Sequence, residues 1–436
     1  MQPGQTVTVF GAYGHTGRFV VAELRERGFV PVLSGRDAGK LRALAAATPG
    51  APEVRPASVD DPASLARALD GADAVINCAG PFALTAAPVI EAALRAGIPY
   101  VDVAAEIEAN LDTFTHFADR ARAAEAVIVP AMAFYGGLGD LLATAAMGDW
   151  TIADEANIAY GLSGWHPTPG TRVAGTVSRE RRAGRRVRYT DGRLQYHDDE
   201  TTLLKWPFPA PMGTREVVGE FTMADVVTVP SHLSIPEVRT HMTTEAAGDL
   251  SAPDTPAPTA ADENGRSDQT FLVDVVVRRG DTERRAVARG RDIYAVTAPL
   301  AVEAVHRILT GRTRTLGVAS AGRIFDAPDF LRALSPAHHP RPAPAADGVL
   351  TAGAGAASVR RSCAPGTGAV RQAVGDPRPE WPYAVRHELA PPRGLDRREH
   401  APVLTGRFTG PLRAVARPPL AARAVRSRGS ESRPAR

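Results

Sequence analysis

The chain runs to 436 residues, 44% of them hydrophobic and 23% charged, a composition that suits a globular protein with room for two or three domains. Two cysteines exclude a disulfide scaffold and a cysteine-based metal site, no His/Asp/Glu cluster has ligand spacing, and no apolar run approaches the ~20 residues that span a bilayer. The net charge of +3 is unevenly spread: residues 336–436 hold 17 arginines and seven acids, so residues 1–335 hold 34 basic and 41 acidic residues and show no nucleic-acid-binding surplus.

The expected class is α/β: an N-terminal Rossmann doubly wound parallel sheet, a second α+β domain and a disordered C-terminal tail. Over residues 1–150, short apolar runs alternate with amphipathic stretches, as in a parallel sheet with crossover helices. Strands are expected at Thr6–Phe10, Val30–Ser34, Glu53–Pro56, Ala74–Cys78, Tyr100–Val103 and Val127–Pro130. Helices are expected at Thr16–Arg27, Ala38–Ala47, Pro62–Leu69, Ala86–Ala96 and Asn110–Ala124. The chain enters its first strand almost at once, with no export signal ahead of it, which together with the few cysteines predicts a cytoplasmic protein.

Residues 151–335 change pattern. Strands are expected at Asn157–Leu162, Arg186–Tyr189, Arg193–Tyr196, Glu216–Phe221, Val226–Val229 and Phe271–Arg278, with Asp191-Gly192 a hairpin signal. Helices are expected at Gly170–Arg182 and Pro299–Leu309. The reading is a mostly antiparallel sheet with helices on one face, a mobile loop over Asp249–Asp268, and residues 298–335 packing back on the first domain. Residues 336–436 hold 15 of the 37 prolines and no sustained period. They are expected to be disordered and outside the ancestral fold, whether functional or translated out of frame.

Gly11-Ala12-Tyr13-Gly14-His15-Thr16-Gly17 follows a strand and opens a helix, the context that gives a glycine pattern meaning. Gly11 serves the tight turn, Gly14 the approach of a pyrophosphate and Gly17 close helix–sheet packing, while helix N-terminal amides face the anion. Tyr13, His15 and Thr16 complete this set, Thr16 as a hydroxyl donor. At the second strand's exit, where an NAD site carries an acid, the chain reads Ser34-Gly35-Arg36-Asp37 with Lys40 one turn later. Arg36 offers a bidentate donor to a 2′-phosphate, assisted by Ser34 and Lys40, and Asp37 caps the next helix. NADP(H) is therefore the expected cofactor. Asn77, Ala79, Gly80 and Pro81 close the fourth strand with small residues where the dinucleotide crosses the sheet edge. Cys78 reads as a buried small hydrophobe, and Asp102 and Glu106 as anchors or catalytic acids at the fifth strand's exit.

Gly11–Arg18, Ser34–Arg36, Asn77–Phe82 and Tyr100–Glu106, followed by Phe134–Asp140, Gly290–Tyr294 and Gly322–Leu331, together resemble the saccharopine dehydrogenase-like oxidoreductases, a family that includes the trans-acting enoyl reductases. The resemblance covers roughly residues 5–334 and departs at Tyr135–Gly137, where glycines stand in the family's polar and proline positions. It implies a reductase moving hydride between NADP(H) and a small organic substrate, with an enoyl or imine bond as acceptor. With Lys40 and Lys205 the only lysines, a Tyr-x-x-x-Lys mechanism is excluded. Tyr135 is the first candidate proton donor, ahead of Tyr100, His166 and His232. No metal, nucleic acid or membrane span is expected, and the assembly the reading allows is a homodimer. The alternative from another class is a non-catalytic NADP(H)-binding sensor or scaffold.

Overall fold

The computed structural model describes residues 4–334 and the strand Tyr383–Arg386. The first sheet is built from β1 (Thr6–Phe10), β2 (Val30–Gly35), β3 (Val54–Pro56), β4 (Ala74–Asn77), β5 (Tyr100–Asp102) and β6 (Val127–Val129). Between them run α1 (His15–Glu26), α2 (Ala38–Ala47), α3 (Pro62–Leu69), α4 (Phe82–Ala96) and α5 (Ile107–Ala123). Val7 and Val9 on β1 are fully buried, as is Thr8, whose hydroxyl donates to the Ala68 carbonyl at 3.0 Å; β-branched residues on a strand covered on both faces make these runs apolar throughout. Asp37 and Asp61 begin α2 and α3 by accepting first-turn amides.

All pairings in this sheet are parallel, in the order β3-β2-β1-β4-β5-β6 with a late strand beyond β6. The chain leaves β1 toward β2 on one side and returns to β4 on the other. The crevice outside the carboxyl ends of β1 and β4 is thus the topological switch point where such folds bind ligands.

A kinked turn over Phe134–Leu138, whose backbone is non-helical at Tyr135 and Gly136, and α6 (Gly139–Met147) lead into the second sheet. Its elements are β7 (Glu155–Leu162), α7 (Pro169–Arg181), β8 (Arg186–Thr190), β9 (Arg193–His197), β10 (Leu203–Pro207), β11 (Thr214–Val218), α8 (Asp225–Thr228), β12 (Glu237–Thr243), α9 (Thr244–Ser251), β13 (Thr270–Arg279) and β14 (Thr282–Arg291). The order is β10-β11-β12-β7-β13-β14, with β8 on β12 and β9 on β8. Only β12 and β7 run parallel within this set; the rest are antiparallel. β13 is buried on both faces and apolar on them save for Asp274, which accepts from the Trp206 indole and Arg285. Val273, Val275 and Val277 join the large core with Leu141 and Leu142 of α6, while Leu272 and Val276 lie with Trp206 and Phe208.

Several expectations meet corrections here. Val226–Val229, read as a strand, lies in α8 and its C-cap; a short apolar run does not distinguish a buried strand from a buried helical turn. The strand read as Glu216–Phe221 is β11, which ends at Val218, before Glu220 takes a left-handed φ of 50°. β10, β12 and β14 lie outside the expected strands; in β14 the polar run Thr282–Arg285 hides any alternation. The segment read as a mobile loop begins inside α9, and Arg172 fastens its first part by donating to the Ala252 and Thr255 carbonyls at 3.0 and 2.8 Å.

The chain then returns to the first sheet. α10 (Thr297–Leu309) packs on α1, with Arg27 paired to Glu303 at 2.6 Å. Glu303 in turn holds the fully buried Arg307 at 2.6 Å, and Arg307 reaches Asp329 at 2.9 Å. β15 (Gly317–Val318) extends the sheet beside β6, and α11 (Ala321–Ile324) and α12 (Ala327–Ala333) close the fold. Of the segment read as a disordered tail, residues 383–386 form β16, antiparallel to β14; the rest of that reading lies outside the described residues. Among the described residues, no helix is long and apolar enough to cross a membrane.

Candidate functional site

Residues at the switch point show why the chain turns as it does. Gly11 has a φ of +87°, and a Cβ there would stand 2.8 Å from the Ala79 amide nitrogen, a contact no side chain tolerates beside backbone. Its amide and that of Ala12 both donate to the Ser34 carbonyl, at 2.8 and 3.1 Å, fixing the turn to the end of β2. A Cβ on Gly17 would overlap the Gly11 carbonyl oxygen, so the helix approaches the turn only with glycine at that position. Gly14 caps α1 without a side-chain bond, and no acid stands in the first turn. The helix N-terminus therefore presents free donors and a positive dipole end to the crevice, the arrangement that suits a phosphate.

The crevice opens into a cavity of about 1660 Å³, larger than the ~300–1,000 Å³ of ordinary small-molecule sites. Gly11, Tyr13, Gly14, His15, Thr16, Arg36, Lys40, Ala79, Gly80 and Pro81 all line it. Gly17, Ser34 and Asn77 stand behind the wall. Ser34 is fully buried with its hydroxyl unpartnered. Asn77 donates to Thr85 and Tyr100 and accepts from the Ala79 amide at 3.0 Å, shaping the loop after β4. Arg36 is exposed at the rim, and Lys40 lies over the Tyr13 ring, 5.7 Å from its centroid. Asp37 caps α2, and the Lys40 amide holds its carboxyl below the usual value. Sequence reasoning missed Ser58, Val59 and Asp60, which line the same end; the signal was their place just past β3.

At the other end the lining is aromatic. Tyr135 packs against Phe134, Tyr160 and Trp165 with ring centroids 4.8, 5.0 and 4.9 Å away. Its phenol is buried without a partner, and desolvation raises its pKa well above the ordinary range, so it keeps its proton. The turn that places it needs Gly136, with φ +91°, because a Cβ would stand 2.9 Å from that of Ala131. Behind this cluster Tyr160 donates to both oxygens of Asp225 at 2.9 Å, and burial lifts the Asp225 carboxyl to about 7.

The remaining titratable candidates have structural partners or lie away. Tyr100 donates to Asp102, which also accepts the Ala104 and Ala131 amides. His232 pairs with Asp140 at 2.7 Å outside the cavity lining, and His166 is exposed. Glu106 lines the cavity while capping α4 through the Phe82 and Ala83 amides at 3.0 and 2.9 Å, and burial raises it to about 7. Cys78 also lines the cavity; burial, then Asp102, pushes its thiol up, which removes its nucleophilic form. The His15 ring stands edge-on to Phe19 and Tyr294 at 5.3 and 5.2 Å, and burial lowers its pKa. Tyr294 accepts from the Trp165 indole and the Thr168 amide, at 3.1 and 3.2 Å. One ring cluster thus joins the glycine turn to the second domain.

Comparison with known proteins agrees with this geometry. Residues 7–129 match the saccharopine dehydrogenase NADP binding domain. Over 147 residues the chain is 31% identical to a protein of Arabidopsis thaliana named as a probable mitochondrial saccharopine dehydrogenase-like oxidoreductase. That stretch is 30% of this chain and 32% of the relative, so the match spans about a third of the relative's length. Among solved structures, apo saccharopine dehydrogenase (L-Glu forming) from Saccharomyces cerevisiae superposes with a TM-score of 0.52 at 13% identity, over 76% of this chain and 97% of that one. This likeness establishes the shared two-sheet fold. An amine dehydrogenase from Mycobacterium smegmatis aligns with a TM-score of 0.41 at 10% identity, over 73% of this chain and 95% of that one.

Proposed function

We propose, from the match of residues 7–129 to the saccharopine dehydrogenase NADP binding domain, that the protein is an NADP(H)-dependent oxidoreductase moving hydride to or from a small organic substrate, with an enoyl or imine bond as the acceptor. The observation that carries this reading is the continuity of one cavity from the glycine turn to the aromatic cluster around Tyr135. A cofactor held at one end and a substrate held at the other would meet within it.

The residues fit the group. The cradle that a Cβ at Gly11 would fill, and the uncapped start of α1, suit a diphosphate held by the amides around Gly14, His15 and Thr16. Arg36 and Lys40 would take the 2′-phosphate, and Ala79, Gly80 and Pro81 would let the dinucleotide cross the sheet edge. When bound, the nicotinamide supplies or accepts the hydride. Phe134, Trp165 and Met223 exclude water from the inner end of the cavity. Tyr135 would give the proton at its phenol oxygen, which has no protein acceptor to compete for it.

The test is NADPH absorbance decay across a panel of enoyl, imine and carbonyl compounds, with calorimetry alongside. Turnover of any class supports the enzyme and names the bond. Tight NADPH binding with no turnover would favour a sensor or scaffold, and no heat from NADPH would remove the reading altogether. A cytoplasmic site of action and a homodimeric assembly belong to the same proposal, although the Arabidopsis relative is named as mitochondrial.

A further inference from the structure

A second basic edge borders the cavity, away from the one assigned to the cofactor. Arg36 and Lys40 follow β2, on one side of β1; α7 packs on α4 and α5, which follow β4 and β5 on the other. Thr171, Ala174, Gly175, Ser178, Arg179 and Arg182 line the cavity, at the three- and four-residue spacing that puts them along one helix face. Facing them from α4 are Leu84, 61% exposed, and Pro88. The strip between the two helices thus carries Leu84, Pro88, Ala174 and Gly175 with the small polar Thr171 and Ser178 among them, and is cationic at its end.

The charge at that end is dense. Residues 179–188 read Arg-Glu-Arg-Arg-Ala-Gly-Arg-Arg-Val-Arg, six arginines against one acid. Part of this charge is already matched. Arg181 pairs with Asp112 at 2.7 Å, and Arg188 with Asp199 at 2.8 Å and Glu220 at 3.4 Å. Arg186 donates to the Asp199 and Glu200 carbonyls. Arg182 reaches Ser178 at 2.7 Å and Glu108 at 3.5 Å through one nitrogen, leaving its buried Nε without a partner. Arg185 lies over the Tyr196 ring, 5.1 Å from its centroid, with no carboxylate, and Arg179 is exposed with none. Arg179, Arg182 and Arg185 therefore have spare donors at the mouth of the cavity, where a planar guanidinium best serves a carboxylate or phosphate.

The inner end is the opposite. Phe134, Tyr135, Trp165, Phe221, Met223 and Leu250 line it without a charged group. We propose that the substrate is an apolar, chain-like compound ending in an anionic group, a phosphate ester or a carboxylate. Arg179, Arg182 and Arg185 hold the anion, and the chain runs between α4 and α7 so that its reducible bond reaches Tyr135. This inference rests on the oxidoreductase reading for the bond, but the binding it predicts is measurable without turnover.

The experiment is calorimetric titration of the full chain, with and without NADP⁺, using octyl phosphate, octanoate and octanol. Octyl phosphate or octanoate is expected to bind at least about tenfold more tightly than octanol, and the tighter of the two identifies the anion. Arg179→Ala/Arg185→Ala, at two exposed positions, is expected to lower that affinity by about tenfold while leaving octanol and NADP⁺ binding unchanged. Equal affinity for all three chains, or an unaffected double variant, overturns the proposal. So does a double variant that loses NADP⁺, because the arginines would then serve the cofactor. NADP⁺ heat without discrimination among the chains sinks this inference alone; absence of NADP⁺ heat sinks the cofactor reading while the chain series still reports on the arginines.

Discussion

The two ends of the cavity are specified in different ways. At the glycine turn, recognition lies in the backbone: Gly11 and Gly17 matter for the side chains they lack, and the donors are amides that any sequence would carry. At the aromatic end, recognition lies in side chains brought from the Phe134–Leu138 turn, the loop after β7, α9 and the loop before α10, far apart in sequence. A backbone site leaves a compact local signature, whereas a side-chain site leaves one only after folding. That contrast explains why a cofactor is readable here before a substrate.

The largest effect expected on the side-chain end comes from its hidden acid. The Asp225 carboxyl is raised from 3.8 to about 7 by burial, so the folded chain holds a proton that the unfolded chain releases. Unfolding free energy should therefore be highest below the unfolded value and fall as pH rises from about 4 to about 7, on the order of a few kcal/mol. Glu106 and Asp102, raised to about 7 and about 6, act in the same direction. Asp225→Asn should flatten part of that slope in denaturant titrations at several pH values; an unchanged slope would mean that Asp225 ionises freely.

Next in size is Tyr135→Phe. Turnover should fall by about 10²-fold with KM little changed, and thermal stability should hold because the phenol makes no protein hydrogen bond. Unchanged turnover would move the proton donor elsewhere, with Glu106 the first alternative. On the backbone end, Gly17→Ala should cost roughly 1–3 kcal/mol by driving a Cβ into the Gly11 carbonyl, and NADPH affinity should fall with it, as melting curves and calorimetry would show. The smallest effect expected is selective: Arg36→Asp should weaken NADPH by about tenfold while sparing NADH. Equal losses for both would show that Arg36 does not read the 2′-phosphate.

The same contrast sorts what the sequence discloses. β1 and α2 match their expected bounds residue for residue, because a β-branched run and an Asp cap are local signals. The Asp191-Gly192 hairpin is equally local, with φ of 51° and 70° at its two residues. β14 was hidden: its arginines follow no clean alternation, and only ten-residue pairing with β13 makes it a strand. The reading of Val226–Val229 failed because burial, not periodicity, decides such a run. α7 reads as a helix from its residues, but its bearing on the cavity follows from packing on α4 and α5, which no residue pattern announces. Ser34 and Asn77 were placed at the right strand ends, yet which side of a wall a side chain takes depends on neighbours such as Thr85 and Tyr100.

The return of the chain to its starting sheet limits how the protein can be taken apart. A fragment stopping at residue 150 would keep every glycine of the nucleotide turn but lose α10, leaving Arg27 without Glu303 and the apolar side of α1 open to solvent. It would also bare the edge of β6 that β15 now covers. The nucleotide half is thus no portable cassette: its first strand begins at Thr6 and its last, β15, at Gly317, so a ribosome must finish nearly the whole described body before that half can close.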